Sequence, residues 1–96
     1  MKRQQAIDLL VRSKPELQER FGITGLALFG STARDVATDK SDVDILVNFD
    51  GPATSQRYFG VQFYLENIFG CPVDLVMEKA LRPELRPYIE KELIDV

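Results

Sequence analysis

The chain has 96 residues, 45% of them hydrophobic and 28% charged, with a formal charge of −3. That is room for a single domain, residues 1–96, and its acidity argues against a basic surface that grips nucleic acid. With no histidine and one cysteine, Cys71, it lacks the parts for Ser-His or Cys-His nucleophilic systems, histidine-centred zinc sites and an intrachain disulfide.

Any catalysis must then rest on carboxylates, metal ions and positioned donors. Met1-Lys2-Arg3-Gln4-Gln5 is polar and leads into no signal-peptide h-region, and no apolar run approaches the roughly 20 residues of a membrane helix. The expected location is the cytoplasm.

Gln4 to Lys14 has the spacing of an amphipathic helix, with Ala6, Ile7, Leu10 and Val11 on one stripe. Pro15 is expected to open a second, short helix through Phe21 that Gly22 closes. Leu26-Ala27-Leu28-Phe29 reads as a buried strand ending on Gly30-Ser31, with a turn of helix over Thr32–Asp35. After the polar turn Asp39-Lys40-Ser41, the β-branched run Val43 to Phe49 predicts a second strand, which Asp50-Gly51-Pro52 ends. Gln56 to Phe69 predicts a helix stopped by Gly70-Cys71-Pro72, and Val73 to Met77 a third strand. Pro83 to Ile94 is expected to be helical, with Pro87 kinking it or starting its main part.

The predicted order is α-α-β-β-α-β-α, an α/β (α+β) domain with a mixed three-stranded sheet flanked by helices. A helical crossover makes the last two strands parallel, and a short connection makes the first two antiparallel. On the Gln56–Phe69 helix, Tyr58, Val61, Leu65, Ile68 and Phe69 form the core stripe. Phe59 and Phe63 face the other way, expected to bury against the C-terminal helix or else to form an exposed patch suited to a partner.

Asp42 and Asp44 stand two positions apart at the entrance to a strand, so alternation puts both side chains on one face. Asp74 is second in the neighbouring strand, about 4.8 Å away laterally if the two pair directly. Converging carboxylates raise the pKa of at least one of them unless a cation neutralises the group. Magnesium suits such oxygen ligands, and two ions about 3.5–4 Å apart can clamp a phosphoryl displacement. Taken alone, Asp42 is equally a turn residue beside Ser41, and Asp74 an edge-strand charge. Asp44 is harder to explain that way, because an unpaired acid inside Val43-x-Ile45-Leu46-Val47 is costly to bury.

Gly30-Ser31 alone is an ordinary turn. Set ten residues before Asp42-Val43-Asp44, it completes a G-S-x10-D-x-D pattern. With Leu28 to Arg34, Ser41 to Val47 and Pro72 to Val76, the chain resembles the polymerase-beta nucleotidyltransferase superfamily, and most closely its minimal nucleotidyltransferases (MNT). The resemblance implies that Asp42 and Asp44 bind Mg2+ and a nucleoside triphosphate. It implies that Asp74 completes the metal site and helps activate the acceptor hydroxyl, and that Gly30 and Ser31 hold the phosphates. Arg34 either joins them at the phosphates or pairs with Asp35 or Asp39 on the surface. Lys40 and Arg57 read as solvated charges, and the Arg82/Arg86 pair as a solvated helix face or as one that meets an acidic partner or RNA.

A chain this small has little beyond a catalytic core, so the acceptor platform is expected from a second subunit or from the substrate itself. MNT proteins are similar in this respect. The resemblance implies an antitoxin that uses ATP to adenylylate a tyrosine of a HEPN-domain ribonuclease toxin, its partner in a hetero-oligomer. Two other readings stay open: an antitoxin that neutralises by binding alone, and nucleotidyl transfer to RNA or a small molecule.

Overall fold

The computed structural model describes residues 1–96. Helix α1 (Arg3–Phe21) leads into strand β1 (Ile23–Phe29), the single turn α2 (Gly30–Ala33), strand β2 (Val43–Phe49), helix α3 (Ser55–Phe69) and strand β3 (Val73–Met77). A 3-10 turn (Glu78–Ala80), helix α4 (Arg86–Glu92) and the two-residue strand β4 (Ile94–Asp95) complete the chain. β1 and β2 pair antiparallel, and β2 and β3 pair parallel. Both directions agree with those inferred from the lengths of the connections.

Two expectations about elements are corrected. Pro15 lies inside one continuous α1 and does not open a second helix. A proline inside a helix forfeits one backbone bond, at a cost of about 3 kcal/mol. Here the buried stripe Ala6, Leu10, Ser13, Leu17 runs straight across it, and that packing holds the helix together on both sides. Val11, assigned to the stripe by sequence, is 53% exposed, while the Ser13 hydroxyl donates to the Leu9 carbonyl at 2.6 Å.

The sheet has four strands in the order β3-β2-β1-β4, not three. Helix α4 stops at Glu92, and Ile94-Asp95 pairs antiparallel with Leu28 and Ala27. The Val96 amide adds a hydrogen bond to the Leu26 carbonyl at 3.1 Å. An unpaired β1 edge offers a row of backbone donors and acceptors, and a β-branched tail satisfies them better than another turn of helix would.

Strand alternation then divides the core. Leu26, Leu28, Val43, Ile45, Val47, Val73 and Leu75 pack against α1 and α3. The opposite face presents Ala27, Phe29 and Leu46, covered by Leu81, Ile89 and Leu93 from the α4 segment. Because α4 lies across the sheet from α3, it cannot cover the aromatic pair. Phe59 and Phe63 stack with centroids 6.1 Å apart and remain 49% and 64% exposed. The expected burial against the C-terminal helix does not occur.

Candidate active site

The two sheet faces decide where the acidic residues go. Asp44 alternates with the buried Val43 and Ile45, and Asp74 with Val73 and Leu75. Both carboxylates therefore belong to the thinner, α4-covered face, at the end where β1 finishes and β2 and β3 begin. Asp44 and Asp74 are direct register partners across the β2–β3 ladder, and Phe29 is the partner of Asp44 on the other side. Asp42 lies one residue before β2 and is exposed, Asp74 is exposed, and Asp44 is half-buried.

Next to this pair, β1 turns sharply. Gly30 has φ +74, a left-handed conformation that a side chain disfavours. A Cβ at this position would fall inside the Asp44 carboxyl group, within 2.8 Å of its Cγ. The glycine is thus demanded twice, by its own backbone and by the acid packed on it. Ser31 follows in the turn, half-buried, and Thr32 is buried with a hydroxyl that finds no hydrogen-bond partner.

The electrostatics reflect the crowding. Burial pushes the Asp44 carboxyl up to about 6, reinforced by the charge of Asp74, a hydrogen bond shared with it, and the charges of Asp42 and Glu92. None of the chain's ion pairs involves Asp42, Asp44 or Asp74. The patch carries surplus negative charge that no lysine or arginine compensates, the kind of donor set a hard divalent cation neutralises. No three acidic side chains stand close enough to enclose an ion by themselves. Magnesium does not need such a cage, since it usually takes one or two carboxylates and fills its other positions with water and substrate phosphates.

Arg34 lies beside the glycine turn, but its partner is neither Asp35 nor Asp39. It forms an ion pair of 2.7 Å with Glu92 of α4, whose other carboxylate oxygen accepts the Gly30 amide at 3.1 Å. Asp35 instead accepts the amide of Arg3. Glu92 was not among the residues singled out from the sequence. It stands 58 positions from Arg34, and nothing local marks it.

The remaining basic residues stay outside. Arg57 pairs with Asp50 at 2.8 Å, Arg86 with Glu78 and Glu90, and Lys40 and Arg82 are exposed. A cavity of about 400 Å³ lined by Asn48, Phe49, Pro52, Met77 and Lys79 lies at the far end of β2 and β3 and includes none of the carboxylates. The acidic end is the better candidate for chemistry, because it gathers several carboxylates where the cavity has Lys79 as its one charged side chain.

Comparison with known proteins gives this geometry a family. Residues 10–96 match the model of the nucleotidyltransferase domain. The chain is 38% identical over 88 residues to the protein adenylyltransferase MntA of Thermococcus cleftensis, covering 92% of this chain and 89% of that one. A solved structure described as a candidate minimal nucleotidyltransferase superposes with a TM-score of 0.80 at 33% identity, over 100% of this chain and 97% of the other. The fold also matches a chain from a complex of a tri-AMPylated HEPN toxin and MNT antitoxin of Shewanella oneidensis, with a TM-score of 0.68 at 16% identity, covering 97% of this chain and 70% of that one.

Proposed function

This chain belongs to the nucleotidyltransferase domain family, and from that premise we propose that it is a protein adenylyltransferase. It transfers AMP from ATP to a tyrosine hydroxyl of a HEPN-domain toxin and so acts as the antitoxin of the pair. The observation that carries this reading is the direct pairing of Asp44 with Asp74 beside the Gly30 turn. That juxtaposition sets two carboxylates against a left-handed glycine turn whose amide already meets an anionic oxygen. The 38% identity with an MntA adenylyltransferase, over almost the whole of both chains, supports transfer to a protein.

In this reading Asp42, Asp44 and Asp74 would hold magnesium together with water and phosphate oxygens. When bound, the ion offsets the repulsion among these carboxylates and draws electron density from the phosphates. Gly30 and Ser31 donate to phosphate oxygens, and Arg34 adds a guanidinium for charge that builds on them. Asp74, exposed at the mouth of the site, orients the incoming hydroxyl and takes its proton. The tyrosyl oxygen bonds to the α-phosphorus, the bond from that phosphorus to the bridging oxygen breaks, and pyrophosphate leaves.

The test is the intact mass of a cognate HEPN-domain toxin after incubation with this chain, ATP and magnesium. Added AMP on tyrosine is the expected result, absent in EDTA and with Asp42→Asn combined with Asp44→Asn. Undiminished transfer by that double variant would remove the assigned site. Unmodified but neutralised toxin would replace the reading with inhibition by binding.

A further inference from the structure

Glu92 occupies the place that the proposed function gives to phosphate. One carboxylate oxygen takes the Gly30 amide at 3.1 Å, and the other takes the Arg34 guanidinium at 2.7 Å. These are two of the donors assigned to the nucleotide. A carboxylate and a phosphate edge are alike in this respect: each offers paired anionic oxygens to an amide and a planar guanidinium. A residue whose task was only to orient Arg34 would have no need of the glycine amide.

We propose that Glu92 is an internal occupant of the phosphate cradle, which ATP must displace before it can bind. The inference rests on the nucleotide-site reading above. Its charge also reaches Asp44, so in the closed arrangement Glu92 adds a fourth carboxylate to the acidic patch. A triphosphate entering beside it would bring like charge against like charge, which forces the side chain out. The element that carries Glu92 can release it. Helix α4 spans only Arg86–Glu92, contains no fully buried residue, and is tied to the sheet by Ile89, Leu93 and the short β4. When Glu92 leaves, Arg34 and the Gly30 amide become free together, so nucleotide binding and reorganisation of the α4 face are one event.

An occupied site binds its ligand with an affinity reduced by the fraction of molecules that are open. The ion pair is partly solvent-exposed, with 54% and 23% of its two side chains accessible, so the closed state is favoured only modestly. Replacing Glu92 should therefore tighten ATP binding by about fivefold. The experiment is calorimetric titration of the full chain with ATP and magnesium, comparing wild type, Glu92→Ala and Glu92→Gln. The glutamine variant keeps the side-chain bulk should the alanine loosen α4. The Gly30 amide resonance is followed alongside, and it should move on mutation and then respond to ATP at lower concentration than in wild type. Tighter binding by both variants is the expected result. Equal or weaker binding overturns the occupant role and leaves the nucleotide site standing, with Glu92 a positioning residue for Arg34 where binding weakens. No ATP binding by any of the three proteins overturns both readings.

Discussion

Asp44 and Asp74 face each other across the parallel β2–β3 ladder, with no lysine or arginine paired to either. The strand frame holds them there, so their repulsion is built into the native state. Burial first, and the charge of Asp74 after it, hold the Asp44 carboxyl at about 6 against an ordinary 3.8.

This pair gives the metal-free protein a specific pH dependence. The folded state binds the Asp44 proton more tightly than the unfolded chain, so this contribution to stability grows as pH falls through 6 toward 4. It is lost as pH rises through the same window. In EDTA, the Tm difference between Asp44→Asn and wild type should be larger at pH 7.5 than at pH 4, with the variant the more stable at the higher pH. Added magnesium should raise the wild-type Tm at pH 7.5 and leave Asp44→Asn nearly unchanged. Parallel pH profiles of the two proteins would contradict this assignment.

Gly30→Ala forces a side chain into a left-handed backbone, at about 1–2 kcal/mol, and drives its Cβ into the Asp44 carboxyl group. Stability should fall by at least about 2 kcal/mol. Transfer should drop by about 100-fold or more, because a displacement on the order of 1 Å at a reacting centre has that effect. Denaturant melts and the mass assay on the same preparation measure the two losses separately.

Gly60 lies inside α3, where alanine ordinarily strengthens a helix by about 1 kcal/mol. Here the effect should have the opposite sign. A Cβ at Gly60 would approach Phe21 Cδ1 and Cζ to 2.9 Å, so the ring that ends α1 would have to shift. Overpacking of this kind costs about 1–3 kcal/mol. Urea unfolding of Gly60→Ala should give a lower midpoint with an unchanged slope, and a higher midpoint would show that the Phe21 ring yields freely.

The two sides of α3 should respond differently to truncation. Leu65 is fully buried and its replacement by alanine should remove about 2–5 kcal/mol. Phe63 is 64% exposed, so Phe63→Ser should change stability by less than about 1 kcal/mol. Chemical denaturation of the two variants side by side checks the layer order, because a large loss from Phe63→Ser would mean that α4 covers α3 after all.

What the residues determined on their own is whatever depends on neighbours along the chain. Strands β2 and β3 fall on the predicted residues because β-branched runs end at polar turns and Gly-Pro breaks. The parallel and antiparallel pairings follow from connection length, and the Gly30-Ser31 to Asp42-x-Asp44 spacing marks the end of the sheet where the acids meet. Tertiary structure decided the rest. Packing across Pro15 kept α1 whole, an open β1 edge converted the expected end of α4 into β4, and the side of the sheet taken by α4 left Phe59 and Phe63 exposed. It also brought Glu92 onto the Gly30 amide from 62 positions away. No local pattern encodes such a contact, since helix periodicity sets which side of α4 a residue takes but not which strand end that side will meet.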